Sequence, residues 1–257
     1  MRSVWTAAIT IALLASAASA QERWNWSEEL RPGQVLEIKG VNGRIEAVAT
    51  RGNASVEARK TAERSDPDDV RLVVVRRPDG YTICAVYPTP RGARESNECQ
   101  PGDRGRNSVN NNDVRVDFTV RVPQGVRFIG RTVNGGVTAT GLSAETRGHT
   151  VNGSVEISTA GVAYASSVNG SIRVDLGRAD WEDVLEFETV NGSITVVLPA
   201  DIDTHVNAST VTGSIESDFP LTVRGRFGPK RLSGTIGSGG RELSLGTVNG
   251  NIELRKQ

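Results

Sequence analysis

Histidine is nearly absent from these 257 residues: His149 and His205 are the only two. Acid–base chemistry at neutral pH draws most often on imidazole, so the chain has little from which to assemble a general base, and neither histidine has an identifiable partner. Zinc-type spacings, a nucleophile elbow and a phosphate loop are all missing. The glycine-rich Gly237-Ser238-Gly239-Gly240 has no following Lys-Ser/Thr and reads as a wide turn. Charge of one sign is lacking too. Thirty basic and thirty acidic residues cancel, and loss of Arg2 with a leader leaves a net charge of −1. Such a chain has no field to draw in nucleic acid or anionic lipid. Lysine occurs only at Lys39, Lys60, Lys230 and Lys256, a bias toward arginine that reads as background composition. Aromatic residues make up 5 %, which excludes a bulky aromatic core. The 37 % hydrophobic residues and 28 glycines suit an extended core of small side chains. Past residue 20 nothing approaches the ~18 apolar residues of a membrane span.

The first twenty residues read as a secretory signal peptide. Arg2 is the positive start, Val4 to Ala17 the apolar stretch and Ala18-Ser19-Ala20 the small-residue cleavage site. A mature chain beginning near Gln21 is expected outside the cytoplasm, periplasmic or secreted. No cysteine follows the cleavage site, so a lipid anchor has no signal. Cys84 and Cys99 are the only cysteines, and they flank a loop through Pro88, Pro90, Arg91 and Gly92. In an exported chain such a pair is expected to join, and closing a loop of about 15 residues contributes roughly 3 kcal/mol in the chain-entropy model. Their spacing is not Cys-x-x-Cys and no histidine lies near, so neither a metal nor a cofactor is expected.

What the chain does have is a seven-residue phrase that recurs seven times in its second half. The copies run Val133 to Ala139, Val151 to Ile157, Val168 to Val174, Val190 to Val196, Val211 to Ser217, Leu232 to Ser238 and Val248 to Leu254. The third column is Gly throughout (Gly135, Gly153, Gly170, Gly192, Gly213, Gly234, Gly250), the fifth is Val or Ile, and the second is Asn in five copies. A phrase recurring at 16 to 22 residues is the signature of stacked coils. Asn-Gly is also a hairpin signal. A hairpin, however, sends Val190 to the face opposite Ile194, whereas a strand running through the phrase puts Val190, Gly192, Ile194 and Val196 on one face. The second arrangement gives a single interior and predicts a parallel β-solenoid of about seven coils, all-β. The invariant glycine then marks either positive φ or an inner corner with no room for a side chain. A hydroxyl residue usually precedes each copy (Thr132, Thr150, Ser167, Thr189, Thr210, Thr247, with Arg231 the exception), and these columns are expected to form structural hydrogen-bond ladders.

Upstream the grammar changes. Val41 to Ala47 is an outlying copy, and strand-like runs follow at Ser55 to Lys60, Val70 to Arg76, Tyr81 to Tyr87 and Val114 to Val122. In the last of these Val114, Val116, Phe118, Val120 and Val122 face one way, as in a half-buried strand. Residues 21–126 are expected to form a β-rich cap shielding the open end of a repeat domain at 127–257. The polar loop Asn107 to Asp113 is expected to stay mobile.

The VNGSI phrase, the early GVNGRIEA, the segment TICAVYP with a following cysteine, and DVRVDFTVRVPQGV together resemble the bacterial exported β-strand-repeat proteins of unknown function regarded as candidate adhesins. The resemblance covers nearly all of the mature chain. It implies an exported β-solenoid and carries no catalytic residues. The phrase is also broadly similar to the repeats of bactofilins, which polymerise, but the leader and the cysteine-bearing cap argue against that group.

Two function classes remain. A non-enzymatic surface or periplasmic protein would bind envelope glycan or protein along a flat face. A polysaccharide-active enzyme would use carboxylates on the longest coil extension, where Glu182, Asp183 and Glu186 surround Trp181 and form the best candidate binding site. The remaining acidic cluster, Asp66, Asp68 and Asp69 beside Pro67, does not follow a known calcium loop and reads as a solvated turn. Short coils without cleft-forming insertions favour the first class, with no turnover expected.

Overall fold

The computed structural model describes residues 22–177, 181, 184–221, 223–224 and 229–257. The expected signal peptide, and Glu182 and Asp183, lie outside the described residues. In chain order the strands are β1 (Glu22–Glu28), β2 (Val35–Lys39), β3 (Ile45–Thr50), β4 (Ala54–Thr61), β5 (Arg71–Arg77), β6 (Gly80–Val86) and β7 (Arg115–Pro123). Next come β8 (Arg127–Arg131), β9 (Val137–Leu142), β10 (Thr146–His149), β11 (Val155–Thr159), β12 (Ala163–Ser166), β13 (Ile172–Leu176), β14 (Leu185–Asn191) and β15 (Ile194–Leu198). The chain ends with β16 (Thr204–Thr212), β17 (Ile215–Ser217), β18 (Val223–Arg224), β19 (Lys230–Ile236), β20 (Glu242–Asn249) and β21 (Ile252–Lys256).

Two large, mostly parallel sheets hold these strands around one hydrophobic core. The first has the order β1-β4-β7-β3-β9-β11-β13-β15-β21-β17 and the second β18-β19-β16-β20-β14-β12-β10-β8-β2-β6-β5. From β8 to β15 the chain steps alternately between them. The reason is local: each strand is short and alternates, so that Val155 and Ile157 or Ile172 and Val174 turn inward while Glu156 or Arg173 turns out. The fifth column of the phrase is the spine of this core. Val137, Val155, Ile172, Ile194, Ile252 and Ile215 follow one another in register across the first sheet, all buried.

At the C-terminal end the sequence order breaks. β16 and β17 leave a gap beside β14 and β15, which β20 and β21 then fill. The segment Leu232 to Ser238, read as a seventh copy of the phrase, lies instead mostly in β19. That strand runs antiparallel to β16 and places Gly234 opposite Val206. At the other end β2 and β3 pair in parallel with β8 and β9, so both sheets run without interruption across residue 126. The strand expected at Val114 to Val122 is β7, with Val116, Phe118, Val120 and Val122 buried. Trp26 of β1 meets Tyr81 of β6 edge-on, their ring centroids 5.1 Å apart, linking the two sheets at this end.

Cys84 and Cys99 are bonded, their Cα atoms 5.7 Å apart. The segment they anchor crosses the outer face of the second sheet. There Lys39 Nζ donates to the carbonyls of Gln100, Gly102 and Arg104 at 3.0, 2.9 and 2.6 Å, and the Gly102 amide donates to the buried Glu37 carboxylate at 3.0 Å. The polar loop from Asn107 to Asp113, expected to be mobile, is tied at both ends. Asn107 accepts from Tyr87 N and donates to Ala85 O, and Asp113 accepts from the amides of Arg64 and Ser65.

Candidate functional site

Seven copies of the phrase, those starting at Val41, Val133, Val151, Val168, Val190, Val211 and Val248, make one kind of corner between the second sheet and the first. Through-running geometry is overturned here. The first-column valines at 133, 151, 168, 190, 211 and 248 are between 36 % and 49 % exposed, where a continuous strand would have buried them. Inward positions on the second-sheet side of the corner belong to the hydroxyl residues that precede six of these copies, Gly40 standing before the one at Val41. The chain then turns through Asn-Gly, and alternation restarts with the fifth column pointing in.

The glycine column shows why the corner repeats. Its members lie against one another in the stack, so that a Cβ on Gly192 would fall on the carbonyl oxygen of Gly170, one on Gly170 on that of Gly153, and one on Gly153 on that of Gly135. Lack of room, not positive φ, is the common cause. Each buried hydroxyl satisfies the glycine carbonyl of the neighbouring rung: Thr132, Thr150, Ser167, Thr189, Thr247 and Thr210 donate to Gly43, Gly135, Gly153, Gly170, Gly192 and Gly250 at 2.7 to 3.0 Å. At the last rung Lys230 Nζ takes that place and donates to Gly213 O at 2.6 Å.

Outside the corner, side chains form a ridge of three rows. Exposed valines make the first. The second is an amide ladder in which Asn134, Asn152, Asn169, Asn191 and Asn249 each donate Nδ2 to the preceding rung's Oδ1 at 2.8 Å, starting from Asn42. In the third, Ser154, Ser171 and Ser193 accept the backbone amides of Ser171, Ser193 and Asn251. An asparagine amide has two N–H donors and two lone pairs, so the ladder leaves each rung one donor and one acceptor for a partner. The hydroxyl column forms the structural ladder expected of it, through the glycine carbonyls. The asparagines add a second one, stacked in register on the outside.

The carboxylate site proposed around Trp181 is corrected by the indole itself. Trp181 is buried and its Nε1 donates to Glu242 O at 3.1 Å, so it packs the interior and offers no platform. Glu186 stands on the outer face of the second sheet, in a hollow of about 250 Å³ with Arg147, His149, Tyr164, Ser166 and Glu188. The Arg147 guanidinium lies 4.1 Å above the Tyr164 ring and covers it. His149 Nδ1 is 2.8 Å from Ser166 Oγ, and Glu188 is in register with Ser166 on the far side. Serine therefore sits between base and acid. A catalytic triad needs the imidazole in the middle, oriented by the acid. Burial of Glu188, and then the neighbouring Glu186, raises the Glu188 carboxyl above its usual range. His205 Nδ1 meets Thr235 Oγ1 at 3.0 Å on another part of the same sheet. Asp66 caps the short turn at Pro67–Asp69 and Asp68 faces Lys60 at 3.6 Å, which are roles for a surface turn. Ser238, in the glycine-rich turn, donates its amide to Asp203.

His149 carries a pH test. Burial, and then the charges of Arg131 and Arg147, lower its imidazole to about 4. A base depressed on folding is protonated first in the unfolded chain. Stability is therefore complete above the unfolded value of ~6.5 and falls as pH drops toward 4. Urea midpoints at pH 7 and pH 4.5 should differ, with this one group contributing roughly 2 to 3 kcal/mol. His149→Asn, which retains a partner for Ser166, should flatten that difference. An unchanged pH profile would show the imidazole to be solvated.

The fold and its ridge define a class: an all-β protein of two parallel-rich sheets joined by stacked corners of one kind. Residues 130–255 match the family model Toastrack DUF4097, a domain of unknown function, and the match supports the β-strand-repeat family that the VNGSI phrase resembles. Among solved structures, a candidate cell adhesion protein from Clostridium sporogenes is 11 % identical, covering 92 % of this chain and 100 % of that one, at a TM-score of 0.48. A candidate adhesin from Bacteroides fragilis is 13 % identical over 91 % and 97 % of the two chains, at 0.38. Comparison with curated proteins finds no match. Among the described residues no helix is long and apolar enough to cross a membrane.

Proposed function

We propose that the protein is an exported, non-enzymatic adhesin-like binding or scaffold protein that contacts envelope glycan or protein through the ridge. The ridge carries the reading: the rungs at Val151, Val168 and Val190 present valine, amide and serine rows, and the amide row runs on through Asn134 and Asn249, so that open hydrogen-bonding groups repeat at the strand spacing, about 4.8 Å. An extended, repetitive partner can engage many such rungs at once, and weak contacts then add up through effective concentration. Exposed apolar stripes on soluble proteins mark interaction surfaces. In this reading the corners are the coils of a flattened solenoid of about seven turns, with residues 21–126 serving as its end cap. The Cys84–Cys99 bond and the leader-like start support a location outside the cytoplasm, where disulfides persist.

Binding of the purified protein to isolated cell envelopes and to a glycan array tests this directly. Val151→Glu together with Val190→Glu alters only exposed positions and should leave folding intact while weakening binding by about tenfold, ~1.4 kcal/mol. Reducing ends or unsaturated sugars released from an envelope polysaccharide, and lost in Glu186→Gln, would replace this reading with the enzymatic one.

A further inference from the structure

The ridge ends, beside Asn42, at a hollow of about 840 Å³, a volume typical of small-molecule sites. We infer that this hollow is a binding site for a neutral saccharide, an inference that rests on the reading of the ridge as a contact surface and names its ligand class.

Three observations carry it. First, the lining pairs an apolar floor of Val41, Val109 and Val133 with the amides of Asn42, Asn111, Asn112 and Asn134. A sugar hydroxyl both donates and accepts, which suits an amide, and the C–H face of a pyranose suits the valines. Second, charge is balanced. Arg64 and Asp113 are the ionisable lining residues, and they face each other at 3.7 Å. The lining as a whole therefore carries no net charge to draw in an anionic ligand.

Third, the walls are preorganised. Asp113 accepts from Arg64 N at 3.1 Å and Ser65 N at 2.8 Å, and its own amide donates to Ser65 Oγ at 3.1 Å. Ser108 is held to Asn97 by hydrogen bonds in both directions, 2.8 and 2.7 Å. On the rim Asn111 has φ of 50°, the one non-glycine residue in the left-handed region among those described. That conformation is unfavourable for most L-residues, and asparagine tolerates it. A rigid pocket of this kind binds without a large ordering cost. Since Asn134 also belongs to the amide ladder, a glycan with one end in the hollow can continue over Asn152 and Asn169.

The test is calorimetric titration of the full disulfide-bonded chain with maltohexaose, cellohexaose and chitohexaose, against hexagalacturonate as the anionic control. Asn111→Gly removes the rim amide and keeps a residue at ease with positive φ. Val133→Arg obstructs the floor from an exposed position. The expected result is that at least one neutral hexasaccharide binds, more tightly than hexagalacturonate, and that each variant weakens it about tenfold. Binding that survives both variants but is lost in Val151→Glu/Val190→Glu would overturn the hollow and leave the ridge standing. Preference for hexagalacturonate, or no binding by any neutral probe while isolated envelopes still bind, would also overturn the inference. Loss of envelope binding as well would remove the ridge reading with it.

Discussion

Gly192→Ala is expected to lower stability by about 3 kcal/mol or more, whereas Gly234→Ala, at the same column of the repeated phrase, should cost under about 1 kcal/mol. A methyl group at Gly192 would be driven onto the Gly170 carbonyl oxygen, a backbone atom that no side-chain rotation can clear. Relief requires the rungs to part. That strains the hydrogen bonds from Gly170 N to Asn191 O and from Gly192 N to Asn249 O, both 2.9 Å, and the Thr189 hydroxyl bond to Gly170 O at 2.8 Å. Overpacking costs roughly 1 to 3 kcal/mol and each weakened hydrogen bond about 0.5 to 1.5. At Gly234 the methyl group would meet only the tip of the half-buried Leu221 side chain, 2.7 Å away, and no backbone atom. Thermal melts of the two variants give the comparison. Three kcal/mol corresponds to a fall of roughly 6 °C or more for a chain of this size. Equal losses would refute the corner as the reason for glycine.

The same contrast marks how far the sequence could be read. The recurrence of the phrase announces stacking, and the fifth column was identified correctly as interior because its Val and Ile residues alternate with polar neighbours within one strand. The first column was not. Periodicity of two holds only along unbroken strand, and the Asn-Gly corner resets it, so Val190 faces out while Ile194 faces in. Hydrophobicity alone cannot report such a reset. A sharper signal was present in the hydroxyl residue before each copy: a Thr or Ser recurring there marks a buried position that needs one hydrogen-bond donor. Leu232 to Ser238 imitates the phrase without its asparagine, and its neighbour in space is β16, which no local pattern encodes. Trp181 enters the candidate binding site in the sequence because carboxylates flank it. Its partner, Glu242 O, comes from a strand about sixty residues later. The hollow beside Asn42 is invisible for a related reason, since its walls come from four separated segments and the loop from Asn107 to Asp113 carries no hydrophobic period.

Glu37 supplies the second large effect, and it too lay beyond local reading. In Val35–Lys39 alternation points Glu37 outward, yet the disulfide-anchored segment covers it and its side chain is fully buried. Oε2 accepts from Thr82 Oγ1 at 2.8 Å, Gly102 N at 3.0 Å and Arg77 Nη1 at 3.2 Å. Oε1 faces Arg131 Nε at 3.4 Å as an ion pair without hydrogen-bond geometry. Removing one member of a buried ionic cluster costs about 3 to 5 kcal/mol because the partners remain buried and uncompensated. Here each guanidinium keeps a second carboxylate, Arg77 with Asp79 at 2.9 Å and Arg131 with Asp103 at 2.8 Å. Glu37→Ala should therefore fall at the lower end, about 3 kcal/mol, with the Thr82 hydroxyl and the Gly102 amide left without their acceptor. Glu37→Gln preserves shape and one acceptor oxygen while removing the charge, so its loss should be smaller, roughly 1 to 2 kcal/mol. The effect should also be local. Hydrogen exchange at Gly102 should accelerate in Glu37→Ala even where the Cys84–Cys99 bond is intact, because the covalent link fixes only one end of that crossing. Unchanged exchange at Gly102 together with an unchanged melting temperature would mean that the disulfide and Lys39 hold the segment without the carboxylate.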